Sequence, residues 1–595
     1  MRIQLLLALL LFPTVLIYCA SFPPIGSSSE AREVHIARII YETGNWILPE
    51  RNGILPSKPP LYHWLVATSG HLMGGVDEAI ARAVSIIAAT IMLIGLMRFC
   101  GSLYKSSPTS AALAQGFAGM IASSSYLFLS LATNCRVDMI FATCTSMALL
   151  IACRNILEDR FQFHAWSIFW VWSGLAILAK GPLGLALPVI ITTIFILSDR
   201  ETPASSRFKS TLYWNGLMGL GVAGMIALPW YILATIHGGE GFIAKQLLFE
   251  NIKRISGGSH MNTESWYYYG PAFIRSLFPW SLLYIYAFLY PGDGLRIYGE
   301  KRLPQAPLSK SQHLAHLWIL GVLMLFTLAS GKRTSYLLPL LPPVVIACTV
   351  FLVEGLRRRS PLRRSTLNRI RLLVGNTSIF LFGLVAVGTV FYLTDAYYLV
   401  AIKHYLIKNE LYHYTAVYAG VFGLGTLLLL TGRLASALRP GWGLLLLFTG
   451  TWIGLTAILN LGMSVKNNLK GFVRQAQAIN SAVPHDAQLY IVRKYRQEYF
   501  DPLMFYLHRS VQPVYPDIFQ KVSKNEAGEF YVLGFDDELH PQLSANRRYA
   551  LITTLNPSTD AAKGTTIHKL SLWQRASQPD GGNGTLLERV DCDAT

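Results

Sequence analysis

The sequence predicts a mainly α, polytopic membrane protein carrying a small soluble α/β domain at its C-terminal end. Three observations predict it. Of 595 residues, 52% are hydrophobic and only 14% charged, with a mean hydropathy of +0.38, whereas a soluble globular chain carries about 25% charged residues. The apolar residues gather into runs of roughly 20, the length that crosses a bilayer. From about residue 466 those runs stop, and short alternating β-type stretches replace them.

In chain order the runs fall near 2–22, 79–97, 111–131, 138–153, 165–180, 182–198, 212–236, 271–290, 312–330, 335–355, 371–394, 411–431 and 441–461. That is about thirteen spans by length, the fifth and sixth separated only by Gly181-Pro182. The first run is expected to remain as a span, since it has one basic residue and no small-x-small cleavage site, and Tyr18 before Cys19 fits a lipoprotein box badly. Basic residues accumulate in cytoplasmic loops. Placing the N-terminus inside puts 200–209, 296–310 and the Arg357–Arg371 run there. Thirteen spans then leave the tail outside. The net charge of +18 is read as topology and contact with anionic lipid, so no nucleic-acid partner is expected. The seven cysteines show no metal-type spacing and read as packing residues.

Two domains follow: a membrane domain over 1–465 and an external α/β domain over 466–595. Two outer loops, 23–78 and 237–270, are too long to be simple connections and are expected to carry function. In the first, apolar spacing predicts surface helices over Ala31–Tyr41 and Leu61–Leu72. In the tail, Gln488–Val492, Glu529–Leu533 and Tyr549–Thr553 read as strands.

The chemistry-bearing residues cluster at the outer helix ends. Carboxylates are costly near a membrane and tend to be paired or functional. Glu30 and Glu33 follow the first span and Asp138 heads the fourth, with Arg32 and Arg136 beside them. These three are the candidate acids and bases; a solvated loop face or a helix-dipole acid is the bland reading. Lys58, Lys180, Arg254, Lys332 and Arg333 lie on the side that the charge rule disfavours, and a phosphate ligand would explain them. Each alone could merely snorkel. His260 could hydrogen-bond, transfer protons or bind a metal, and Trp266 to Tyr269 form either an interfacial belt or a platform for sugar or lipid.

An ordered series of short motifs spans roughly residues 25–345: Glu30-Ala31-Arg32, Gly44-Asn45-Trp46, Lys58-Pro59-Pro60-Leu61-Tyr62-His63-Trp64-Leu65, Arg136-x-Asp138 and Leu178-Ala179-Lys180-Gly181-Pro182. It continues through Leu228-Pro229-Trp230-Tyr231, Glu250-Asn251 with Arg254, His260 with Trp266-Tyr267-Tyr268, Pro279-Trp280-Ser281, and Ser330-Gly331-Lys332 with Tyr336-Leu337-Leu338-Pro339. In this order the sequence resembles the polytopic glycosyltransferases that use polyprenyl-phosphate sugars, in particular the 4-amino-4-deoxy-L-arabinose transferases acting on lipid A, with protein O-mannosyltransferases more distant. The resemblance implies the GT-C fold and an inverting hexosyl or pentosyl transfer at the periplasmic face of the inner membrane. It implies an undecaprenyl (polyprenyl) phosphate-sugar donor, a lipid A-like or envelope-glycan acceptor, and a monomer among membrane lipids. By the same resemblance Lys58, Arg254, Lys332, Tyr336 and Lys180 would hold the donor phosphate, while Arg32, Tyr62, His260, Trp266 and Tyr267 would contact substrate.

Two departures stand out. Ser29 occupies the place of the family's first-loop Asp, so either the catalytic role would pass to Glu30 or Asp138, or the acceptor would need less activation. Ser57 stands where the family has a Glu associated with a metal beside the His, which weakens the case for a divalent cofactor at His260; none is otherwise implied. Within this class a protein hydroxyl is the alternative acceptor. The rival class is a transporter or flippase of lipid-linked sugars, which would place charges near the bilayer midplane and pair broken helices. An inactive scaffold is the third reading, because of Ser29.

Overall fold

The computed structural model describes, in the main, residues 10–51, 55–198, 206–244, 264–289 and 306–357. Beyond these it describes helical fragments between 423 and 467 and the segments 472–492, 500–514, 529–544, 549–555 and 570–575. The expected span at 371–394, most of those at 411–431 and 441–461, and the start of the first run lie outside the described residues.

The first loop folds into two helices, α1 (Ser28–Thr43) and α2 (Leu61–Met73). Ser27 caps α1 by accepting from Glu30 N, which satisfies an otherwise orphaned donor. At the other end Gly44 turns left-handed at φ 69° and returns its N–H to Ile40 O, a conformation that only glycine adopts cheaply. The bundle follows: α3 (Glu78–Ser102), α4 (Pro108–Ser123), α5 (Tyr126–Ala132), α6 (Val137–Leu157), α7 (Phe163–Lys180), α8 (Leu183–Ser198) and α9 (Ser206–Phe242). Then come α10 (Tyr269–Ser276), α11 (Trp280–Leu289), α12 (Ala306–Leu328) and α13 (Leu341–Arg357), with 3₁₀ segments at Trp266–Tyr268 and Thr334–Leu340.

Among the described residues five helices are long and apolar enough to cross a membrane, or seven if each bent pair counts as one span. The expectation of a continuous helix over 111–131 is corrected. The chain bends by 69° between α4 and α5, where the hydroxyls of Ser124 and Ser125 bond back to Met120 O and Ile121 O and Trp280 Nε1 donates to Ser124 Oγ. The stretch read as 271–290 is likewise two helices at 110°. Helices α6 and α7 pack side by side, as do α7 and α8. Gly184 permits the second contact, since a Cβ there would lie 2.2 Å from the Ala176 carbonyl carbon. Small residues substitute for hydrophobic drive where helices meet in lipid.

After α14 (Phe472–Ala482) come β1 (Gln488–Val492), α15 (Phe500–Leu507), β2 (Gln512–Val514), β3 (Phe530–Phe535), α16 (Asp536–Leu543), β4 (Tyr549–Leu555) and β5 (Leu570–Arg575). They form a five-stranded sheet of order β2-β1-β3-β5-β4, parallel across the first three strands and antiparallel across the rest.

Candidate active site

The site forms where helix ends converge. Arg136 immediately precedes α6 and Asp138 lies in that helix's first turn, where the dipole favours an acid. Lys180 ends α7, and Gly181 at φ 92° followed by Pro182 stops the helix there. The antiparallel packing of α6 on α7 therefore brings residues 42 positions apart to the same end. Lys180 Nζ donates to Asp138 Oδ1 at 2.5 Å, and Arg136 Nη2 lies 3.1 Å from Asp138 Oδ2. The ammonium also sits 4.6 Å from the ring centre of Tyr336 and 4.9 Å from that of Phe141. Tyr336 is in turn stacked on Phe326. A carboxylate held by two cations is buried without an uncompensated charge.

The first loop carries a second charged group. His63 on α2 and Glu33 on α1 hydrogen-bond at 2.8 Å between Nε2 and Oε2. Burial works against the ionised Glu33, but the His63 hydrogen bond and charge, with the charges of Arg32 and Lys58, outweigh it and hold the carboxyl below the usual glutamate range. Lys58 is near enough to act electrostatically on both Glu33 and Asp138.

Glu30 points elsewhere. Its Oε1 accepts from Cys135 N at 3.1 Å and lies 3.8 Å from Arg82 Nη2, while Oε2 accepts from Ser27 Oγ. Arg82 is fully buried and also donates to the carbonyls of Ala20 and Pro23. The pair thus braces the chain entering α1 against α3.

Of the remaining candidates, Tyr62 is buried in the core and donates to Ala81 O at 3.1 Å. Lys332 Nζ donates to Glu264 O at 3.2 Å, next to exposed Trp266 and Tyr267. Arg254 and His260 lie outside the described residues. Among the described residues no three His, Cys, Asp or Glu side chains converge as a metal site would require, and Ser57 offers only a hydroxyl. The sequence reading missed His63 and Arg82. Each carried a signal: His63 lies inside the Lys-Pro-Pro motif, and Arg82 is a lone cation in the apolar opening turns of α3.

The architecture, with several helices long and apolar enough to span a bilayer and charges collected at their ends, defines a multi-pass membrane protein class. The profile of the dolichyl-phosphate-mannose-protein mannosyltransferase family matches residues 57–233. The chain is 27% identical over 459 residues to undecaprenyl phosphate-alpha-4-amino-4-deoxy-L-arabinose arabinosyl transferase 1 of Pseudomonas fluorescens (strain Pf0-1), covering 76% of this chain and 71% of that one. It is 26% identical over 337 residues to the corresponding transferase of Pseudomonas aeruginosa (strain LESB58), covering 55% of this chain and 56% of the relative. The match thus spans little more than half of the second protein's length. The crystal structure of ArnT from Cupriavidus metallidurans bound to undecaprenyl phosphate superposes with a TM-score of 0.69 at 19% identity, over 95% of this chain and 97% of that one. The chain is thus similar in sequence to the 4-amino-4-deoxy-L-arabinose transferases and shares the fold of ArnT.

Proposed function

We propose that this protein is an integral membrane glycosyltransferase that moves a sugar from a polyprenyl (undecaprenyl) phosphate onto a lipid A-like lipid or envelope glycan at the periplasmic face, with inversion. The observation that carries the reading is the charge balance of the site. Four cations, Arg32, Lys58, Arg136 and Lys180, act on two carboxylates, Glu33 and Asp138, while Arg82 and Glu30 are paired with each other. The donor is a phosphodiester with one negative charge, and the departing phosphate monoester acquires a second. A pocket with surplus fixed positive charge favours the state in which that charge has developed.

In this mechanism Lys180 and Lys58 neutralise the phosphate as the anomeric C–O bond breaks. Asp138 keeps Lys180 and Arg136 aimed, and the Tyr336 ring lies along the ammonium. The acceptor oxygen attacks from the face opposite the phosphate. Glu33 is the carboxylate suited to orient it, since its side chain is 10% exposed against 5% for Asp138 and 3% for Glu30. A carboxylate of lowered pKa is a weak base, but an oxocarbenium-like transition state acidifies the attacking hydroxyl late, when a weak base suffices. The external sheet-bearing unit, the inner-membrane location and the inside N-terminus belong to this same reading. A transporter is disfavoured because Asp138 and Lys180 occupy the first and last turns of their helices rather than mid-span positions.

The test is transfer of radiolabelled sugar from undecaprenyl phosphate-sugar in proteoliposomes, with mass spectrometry of envelope lipids and glycans from cells with and without the protein. Loss of a sugar substituent on deletion supports the reading. Unchanged envelopes together with flipping of the donor across vesicles would replace it with the transporter.

A further inference from the structure

Helix α15 belongs to the sheet-bearing unit and carries none of the charged groups described above, yet it has two faces. Phe500, Leu503, Met504 and Leu507 recur at helical spacing and pack into the core formed with β1 and β3. Phe505 is buried instead in the core of the helical bundle, and Tyr506 packs against both. The polar groups of this second face all end on the first loop or its immediate continuation. Asp501 pairs with Arg51, both nearly inaccessible to solvent. Phe505 O accepts from Arg38 Nη1 at 2.6 Å, and the guanidinium lies 3.9 Å from the Phe505 ring centre. The Tyr506 hydroxyl donates to Glu78 Oε1 and accepts from Ile25 N, each at 2.6 Å.

These contacts fall at informative places. Ile25 lies two residues before the cap of α1, Arg38 lies on α1, and Arg51 lies seven residues before Lys58. One helix therefore grips the loop ahead of, within and behind the segment that bears Glu33 and leads to Lys58. Asn467 adds a fourth point by donating to Pro24 O at 2.7 Å, and Gly26 is required there because a Cβ would lie 2.3 Å from Asn467 Oδ1.

We propose that α15 is a positioning element for the transfer reaction: Asp501, through Arg51, sets the placement of Lys58, and Tyr506, through Ile25 and Glu78, sets the placement of α1 and Glu33. The sheet-bearing unit is then a part of the catalytic apparatus that never touches substrate. The proposal rests on the functional reading above for its kinetic arm only.

Full-length Asp501→Asn and Tyr506→Phe variants, each removing no more than a charge or a hydroxyl, are compared with wild type by transfer kinetics and by hydrogen–deuterium exchange in detergent. Loss of a buried polar partner is worth roughly tenfold in an equilibrium or rate. Asp501→Asn should raise the KM for the polyprenyl phosphate-sugar donor about tenfold with kcat little changed, because Lys58 loses its setting. Tyr506→Phe should lower kcat about tenfold with the donor KM little changed. Both should speed exchange across 24–60 while helices α6 and α7 stay protected. Wild-type exchange over 24–60 in both variants would overturn the proposal whether or not any sugar is transferred. So would equal loss of kcat and of exchange protection throughout the bundle, which marks simple destabilisation. A wild-type protein without transferase activity would sink the functional reading but leave the exchange arm to decide this one.

Discussion

Replacing Lys180 by Met separates structure from chemistry at this site. The side chain is 8% exposed and holds Asp138, itself 5% exposed, so its loss leaves a buried carboxylate with one partner. Removing one member of a buried ion pair costs about 3–5 kcal/mol. Arg136 remains 3.1 Å from the other carboxylate oxygen, so the lower end, ~3 kcal/mol, is expected. Adding Asp138→Leu removes the orphaned charge, and a buried pair replaced by apolar groups is often neutral in stability; most of the loss should return. Activity should not follow. A donor of fixed positive charge to a developing phosphate is worth about 10²–10³ in rate, and the double variant has no such donor at 180. The assays are thermal unfolding in detergent and sugar transfer from undecaprenyl phosphate-sugar on the same preparations. Transfer that recovers together with stability in the double variant would refute the phosphate role and leave the pair as a structural bridge.

Two further expectations come from the same geometry. Glu33 has a native pKa below the ordinary value near 4.5, so its ionised form contributes stability in full above that value and loses it as pH falls through the lower native one. Unfolding midpoints measured from pH 6 to pH 3 should therefore decline on the acid side in wild type and decline less in Glu33→Gln; identical slopes would discount the His63 pairing. Gly184→Ala should destabilise by about 1–3 kcal/mol, because the new methyl meets the Ala176 backbone, and it should lower transfer by shifting Lys180 on the same helix. Gly221→Ala, where nothing lies within 4 Å, is the control, and equal behaviour of the two would discount the α7–α8 contact.

Much of the site was readable before any tertiary contact was known. Asp138 and Lys180 stand out as charges at the ends of apolar runs, and Lys58 as a cation on the side that the expected topology leaves poor in them. Their direct pairing was not readable, because it depends on α6 and α7 being antiparallel neighbours, and the two residues are 42 positions apart. The choice between Glu30 and Glu33 was equally hidden. They lie three residues apart on one helix, and neighbouring helices decide their fates: Arg82 of α3 takes the first, His63 of α2 the second. Tyr62 shows the converse case. Its motif suggested a substrate contact, but its position on α2 faces Ala81 and the core. The bend between α4 and α5 was missed because hydropathy averages over a window and is blind to two serines that bond back to the preceding turn.

The sequence by itself determined the class of environment and the inventory of charges, since hydrophobic run length and the scarcity of ionisable groups are local properties of the chain. The tertiary structure decided the partnerships: which carboxylate is neutralised, which cation is shared, and that a helix packed on the C-terminal sheet holds the loop on which Arg32, Glu33 and Lys58 ride. The physical reason is range. Helix formation and bilayer length are set within twenty residues, whereas electrostatic pairing depends on distances that only packing between remote segments fixes.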